Sequence, residues 1–261
     1  MRSVTWEMVD EGWGRRAVEF ATLAEPSNAR EYVAVHHRVG LDHGHRLLDV
    51  ACGSGLAIEL ARLRGAECCG IDASARLVAV ARDRNPDCDI RVGDMHALPW
   101  DDASFDVVTS FRGIWGTTPR AVDEVYRVLR PGGRFVLTCW GNVGKSAGSW
   151  ALTPLRWAAD QQVDNQAQMV ALGRPGVGEA FLAGCGFEVA ERFEIPFWME
   201  FPDPATFARA MASTGPAYEA IQNVGEDEFV ARATELAAGF ERDGLPLRAQ
   251  IQLFGYLGTK P

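Results

Sequence analysis

Leu47-Leu48-Asp49-Val50-Ala51-Cys52-Gly53-Ser54-Gly55 is the stretch whose reading decides the fold. An apolar run ends on an acidic residue, passes through a tight Gly-x-Gly turn and enters an apolar-periodic helix at Ala57. That pattern belongs to a strand delivering its carboxyl end to a glycine turn, where backbone can approach a ligand closely. About twenty residues further on, Asp72 stands at the tip of another short apolar run, where a ribose-binding carboxylate is expected. Together the two segments read as a nucleoside-cofactor site.

Two features narrow the choice of nucleoside. A dinucleotide fingerprint needs a third small residue at position 58, where this chain has Ile58. A P-loop needs Gly-Lys-Ser/Thr after the turn, yet the only lysines are Lys145 and Lys260. An adenosine without phosphate fits better, and S-adenosylmethionine is the common one.

Four further blocks follow the first in order. They are Gly70-Ile71-Asp72-Ala73-Ser74, Gly93-Asp94-Met95-His96-Ala97-Leu98-Pro99-Trp100, Phe105-Asp106-Val107-Val108-Thr109-Ser110, and Val125-Tyr126-Arg127-Val128-Leu129-Arg130-Pro131-Gly132-Gly133. With these blocks, residues 46–141 resemble a class I S-adenosylmethionine-dependent methyltransferase of the small-molecule type that includes the ubiquinone and menaquinone methyltransferases. The resemblance implies an α/β, doubly wound, Rossmann-like sheet of seven strands in the order 3-2-1-4-5-7-6, the last strand antiparallel. It also implies methyl transfer to an acceptor, with S-adenosylhomocysteine as the second product.

The rest of the chain bounds this reading. At 261 residues, with 47% hydrophobic and 23% charged residues, it can bury one sizeable core with an appended cap. A net charge of -9 repels polyanions, so nucleic acid is not an expected partner. No apolar run approaches a membrane span, and residues 1–7 hold no signal-peptide core, so a cytoplasmic protein, monomeric or homodimeric, is expected. Cys52, Cys68, Cys69, Cys88, Cys139 and Cys185 form no Cys-x-x-Cys pair and have no histidines at zinc spacing, so they read as free thiols. His36, His37, His43 and His45 cluster before the first strand without a ligand pattern, and no metal is expected, although His36 or His37 is placed to serve as a base.

Residues 1–40 are expected to form a helical cap, two helices separated by Glu25-Pro26-Ser27 with Ser27 capping the second. Residues 41–261 would form the cofactor domain, with inserts at 141–175 and 203–245. Strands are expected at 46–51, 67–71, 88–92, 105–110 and 133–140, a strand-like stretch at 187–201 interrupted at Pro196, and a final strand at 250–257. A helix is expected at about 149–160, another at 179–183, and two or three within 203–242.

Individual roles follow. Gly53 and Gly55 would admit the cofactor backbone-close, with Cys52 a small residue in the bend and Ala51 standing where the family has Gly. Asp49 suits the cofactor's amino group, and the two oxygens of Asp72 suit the two ribose hydroxyls. By the resemblance, Asp94 and the Met95 N–H would bind adenine beside His96, between apolar walls at Ile71–Ala73 and Met95. Ser110 and Phe111 would contact the cofactor near its methyl, while Arg112, Ile114 and Trp115 face the acceptor. Phe111-Arg112-Gly113-Ile114 lacks the Asn/Asp-Pro-Pro-Tyr/Phe pattern of nitrogen-directed enzymes, which points to an O or C acceptor. Trp13, Trp150, Trp157, Phe197, Trp198 and Phe207 would make the acceptor pocket apolar. No residue is assigned as catalytic. A non-catalytic binder or sensor of S-adenosylmethionine is the alternative.

Overall fold

The computed structural model describes residues 9–115, 118–157 and 171–261. Strand β1 (Arg46–Val50) lies centrally because both its faces are apolar: Leu47, Leu48 and Val50 are fully buried. It pairs in parallel with β2 (Glu67–Asp72) on one side and β4 (Phe105–Phe111) on the other. With β3 (Asp89–Val92), β5 (Leu129–Trp140), β6 (Glu188–Phe201) and β7 (Leu247–Thr259), the sheet runs β3-β2-β1-β4-β5-β7-β6. β7 is antiparallel to both its neighbours, as expected. The order reverses between β1 and β4, which opens the crevice where open α/β sheets bind ligands.

Helices cover both faces. On one, α6 (Pro119–Val128) sets Ala121, Val122, Val125 and Val128 along a single buried stripe, joined by Leu182 of α7 (Val177–Gly184). On the other lie α3 (Ala29–Arg38), α4 (Leu56–Arg62) and α5 (Ala75–Arg84), burying Val35, Ile58, Ala61, Val78 and Ala81. A third core joins α8 (Pro204–Ala212), α9 (Ala217–Val224) and α10 (Glu226–Ala238) to the ends of β6 and β7. Among the described residues no helix is long and apolar enough to cross a membrane.

Several expectations are corrected. Pro196 does not interrupt β6, which pairs with β7 straight through it (Pro196 opposite Gln252). β6 is an edge strand, and there a missing N–H costs no ladder bond. The N-terminal region is a continuous strap: α1 (Val9–Gly12), α2 (Ala17–Glu19), a π turn (Phe20–Ala24) and a 3-10 turn (Glu25–Asn28) lead directly into α3. Pro26 sits in the first positions of the 3-10 turn, where its lack of a donor is harmless. Ser27 therefore does not cap α3. Its hydroxyl accepts from the Glu200 backbone N–H at 3.2 Å, fastening the strap to β6. Residues 149–157 form a 3-10 helix, with the remainder of that expected helix outside the described residues.

Gly255 in β7 pairs with Thr138 and Phe193, and a Cβ there would come within 2.4 Å of the Phe193 ring. Gly255→Ala is expected to cost about 1–3 kcal/mol through overpacking. Urea unfolding should show a lower midpoint with an unchanged m-value.

Candidate active site

The tips of β1, β2 and β3 are drawn together by backbone bonds. The Cys52 N–H donates to the Ile71 carbonyl at 3.0 Å, and the Gly93 N–H to the Asp72 carbonyl at 3.0 Å. Gly53 and Gly55 both adopt left-handed conformations, with φ of +55° and +79°. Their open sides face different ways. A Cβ at Gly55 would strike Ala81 Cβ at 2.9 Å, so this glycine serves helix packing. A Cβ at Gly53 would find only Phe20 Cε1 at 3.6 Å and Glu25 Oε1 at 3.8 Å, so its free face meets the strap. Ile58 fits because Gly70 opposite it carries no side chain: a Cβ at Gly70 would lie 2.6 Å from Ile58 Cδ1.

Ala51 also takes a left-handed conformation, φ +61°, so the residue standing in place of the family's Gly is strained. Its Cβ fits because residue 113 is glycine, where a Cβ would sit 2.3 Å from it.

Asp49 is buried with a single hydrogen bond, accepted from Thr109 Oγ1 at 2.7 Å, and has no ion-pair partner among the described residues. Burial pushes its carboxyl up to about 8 against the Thr109 bond, with the charges of Glu25, Asp72 and Glu31 adding to the rise. Asp72 is buried beside it and accepts from the Gly53 N–H and the Ser74 N–H, each at 2.8 Å. Burial raises its carboxyl too, in opposition to those donors. Ser74 caps α5, as its hydroxyl accepts from the Leu77 N–H.

Asp94, in the loop after β3, accepts from the His96 backbone N–H at 2.9 Å and lies 2.6 Å from His96 Nδ1. Burial works against its charge, but these bonds hold its carboxyl below the usual range. Met95 packs partly buried on the first core, and Ala73 is half-buried at the β2 tip. The Ser110 hydroxyl donates to the Val50 carbonyl at 2.9 Å. Phe111 meets Tyr32 edge-on at 4.6 Å. Cys52 is buried and its thiol is pushed well up by burial, so it is packing and not a nucleophile.

The strap supplies side chains that sequence reading missed. Asp10 binds Ser74 Oγ and Arg76, the latter through Nε at 2.8 Å. Glu25, buried, accepts from Ser54 Oγ and from Arg84 Nη1 at 2.7 Å. Glu31, also buried, accepts from Arg112 Nη2 at 2.7 Å and Thr138 Oγ1 at 2.6 Å. The available signal was a carboxylate on the apolar stripe of α3: Glu31 shares its buried face with Tyr32, Val35 and His36.

The aromatics divide. Trp115 stays by Arg112, donating from Nε1 to its carbonyl at 3.0 Å, and Phe197 lies against the Arg112 guanidinium. Trp13 meets Phe20 edge-on at 5.6 Å, one ring removed from Gly53. Trp150 stacks on Phe240 at 4.3 Å and packs on the helical core with Trp157 and Phe207. Trp198 pairs with Arg248, and Ile114 is fully buried in the first core rather than facing an acceptor. His36 is buried under Phe111 with both ring nitrogens unpartnered, and burial drops it to about 4, too weak for a base.

A methyltransferase-domain family matches residues 48–137. The chain is 39% identical over 101 residues to a demethylmenaquinone methyltransferase of Renibacterium salmoninarum, covering 38% of this chain and 43% of that one. It is 36% identical over 166 residues to a Mycolicibacterium smegmatis protein named "Probable S-adenosylmethionine-dependent methyltransferase", covering 63% and 59% respectively. The chain thus spans about half the length of these curated relatives. The methyltransferase solved in complex with the Haloferax volcanii Trm112 activator shares the fold, with a TM-score of 0.61 at 20% identity over 99% of this chain and 100% of that one. Residues 48–137 are thus similar to a methyltransferase domain, on a fold shared with a solved methyltransferase.

Two outcomes follow from the strand tips. Ala51→Gly relieves a left-handed alanine and is expected to stabilise the chain by about 1 kcal/mol, read by urea unfolding. Asp49 is protonated when folded and ionised when unfolded between its ordinary 3.8 and about 8, so the unfolded chain holds fewer protons and stability falls as pH rises through that window. His36, lowered from 6.5 to about 4, acts oppositely below 6.5. The decline from Asp49 is therefore read between about pH 6.5 and 8, and Asp49→Asn should flatten it.

Proposed function

We propose that this chain is an S-adenosylmethionine-dependent methyltransferase that moves a methyl group onto an oxygen or carbon of a small apolar or aromatic molecule. The observation that carries the reading is Asp49, a buried carboxylate without a cation among the described residues, beside Asp72 at the switch point of the sheet. A ligand bearing positive charge and vicinal hydroxyls matches that donor set, and Gly53 offers it a face without a side chain.

When bound, the cofactor supplies a methyl already activated on a sulfonium, so the acceptor's lone pair forms the new bond while the sulfur–carbon pair stays on sulfur. In this reading Asp49 holds the ammonium group and ionises as it does so. Each oxygen of Asp72 keeps a second lone pair for a ribose hydroxyl beyond the N–H bond it already accepts. Asp94 and the Met95 N–H take the adenine edge, with Ala73, Met95 and His96 around the ring. Ala51, Cys52, Gly53 and Gly55 shape the turn, and Ser110 and Phe111 line the end where the methyl is presented. The strap excludes water, which strengthens every charge interaction beneath it. Asp49 and Ser110 are buried to within 1% of full coverage, so some of what covers the strand tips has to move for the ligand to reach them. The match to demethylmenaquinone methyltransferases supports an aromatic acceptor of quinol type, bound near Arg112 and Trp115.

At a hundred times its dissociation constant, S-adenosylhomocysteine should stabilise the chain by about 2.7 kcal/mol in a thermal-shift series, and NAD should not. Asp72→Asn should weaken that binding by about tenfold or more, the worth of a hydrogen bond to a charged acceptor. A shift with NAD alone overturns the reading.

A further inference from the structure

Arg112 follows β4 directly and is held in a left-handed conformation, φ +59°, rare for a side chain of its size. Its guanidinium carbon lies 4.7 Å from the Trp140 ring centre and 5.1 Å from that of Phe197. Glu31 takes two of its nitrogens, Nη2 at 2.7 Å and Nε at 3.4 Å, and is itself fixed by Thr138. Among the described residues Nη1 has no hydrogen-bond partner, and 15% of the side chain remains exposed. Four separate elements, β4, β5, β6 and α3, thus build one rigid cation with a pair of unspent donors at the strand tips. Backbone strain of this kind, over-determined by its surroundings, is concentrated at functional sites.

We infer that Arg112 is the specificity residue for the methyl acceptor, reading an anionic oxygen on an aromatic ring, a phenolate or a carboxylate, through its free Nη1 donors. The inference rests on the methyltransferase reading and deepens it. A planar guanidinium braced by a carboxylate and two rings meets an oxyanion without reorganising, and such charge-assisted bonds are about twice as strong as neutral ones. Glu31 plays two parts. It aims Arg112, and it tempers the cation's pull on the acceptor.

The test is titration calorimetry on the full chain loaded with S-adenosylhomocysteine, at slightly alkaline pH. One arm compares 1-naphthoate with 1-naphthamide, the other 4-nitro-1-naphtholate with its methyl ether. In at least one arm the anion should bind about tenfold or more tighter than its neutral partner. Arg112→Gln should erase that preference and Arg112→Lys should restore part of it. Glu31→Gln should instead tighten anion binding several-fold, whereas a merely structural pair would weaken it. Both Arg112 variants should bind S-adenosylhomocysteine as the wild type does. Anions and neutral partners binding alike, no anion binding, or a preference surviving in Arg112→Gln overturns the inference. Absence of S-adenosylhomocysteine binding to the wild type strikes the methyltransferase reading instead, and is seen before any probe is added.

Discussion

The strand tips concentrate negative charge that the chain only partly neutralises. Glu25 has Arg84 and Glu31 has Arg112, while Asp49 and Asp72 have hydroxyl and backbone donors but, among the described residues, no cation. Buried carboxylates in that position must either take up protons or find a positive ligand. Every other feature of the site accommodates this requirement. The glycine turn supplies space, the strap supplies shelter from water, and the two arginines keep the total charge low enough for the core to close.

Besides Ser27 on β6, three carboxylates of the strap are set against the strand ends. Asp10 meets the loop after β2, Glu25 the loop after β1, and Glu31 the ends of β4 and β5. Pairs of this kind add little when solvated but resist separation when buried, because opening leaves a charge without its partner. Glu25 and Glu31 are the buried ones, so the strap is held most firmly where it crosses the crevice.

The sheet and the turn were legible because both depend on short-range patterns. Leu47–Val50 reads as a strand from its short, mostly apolar run ahead of a glycine turn, and Gly53 had to bend from its place before an amphipathic helix. The strap's role was not legible, because Glu25 and Glu31 acquire meaning only through Ser54, Arg84, Arg112 and Thr138, far away along the chain. Pro196 misled for a related reason: whether proline breaks a strand depends on which neighbour lies beside it, and β6 has none on one side. Size exchanges across contacts were equally hidden. Ile58 against Gly70, and Ala51 against Gly113, are complementary pairs between positions that carry no periodic signal.

The strap's change of helix type has a geometric result of its own. In an unbroken α-helix two residues six apart would point about 120° away from each other. Tightening the turn at Glu25–Asn28 to three residues per revolution rotates the downstream helix so that Glu25 and Glu31 come within about 60° of one bearing. The irregular winding is what lets a single segment bridge both halves of the sheet.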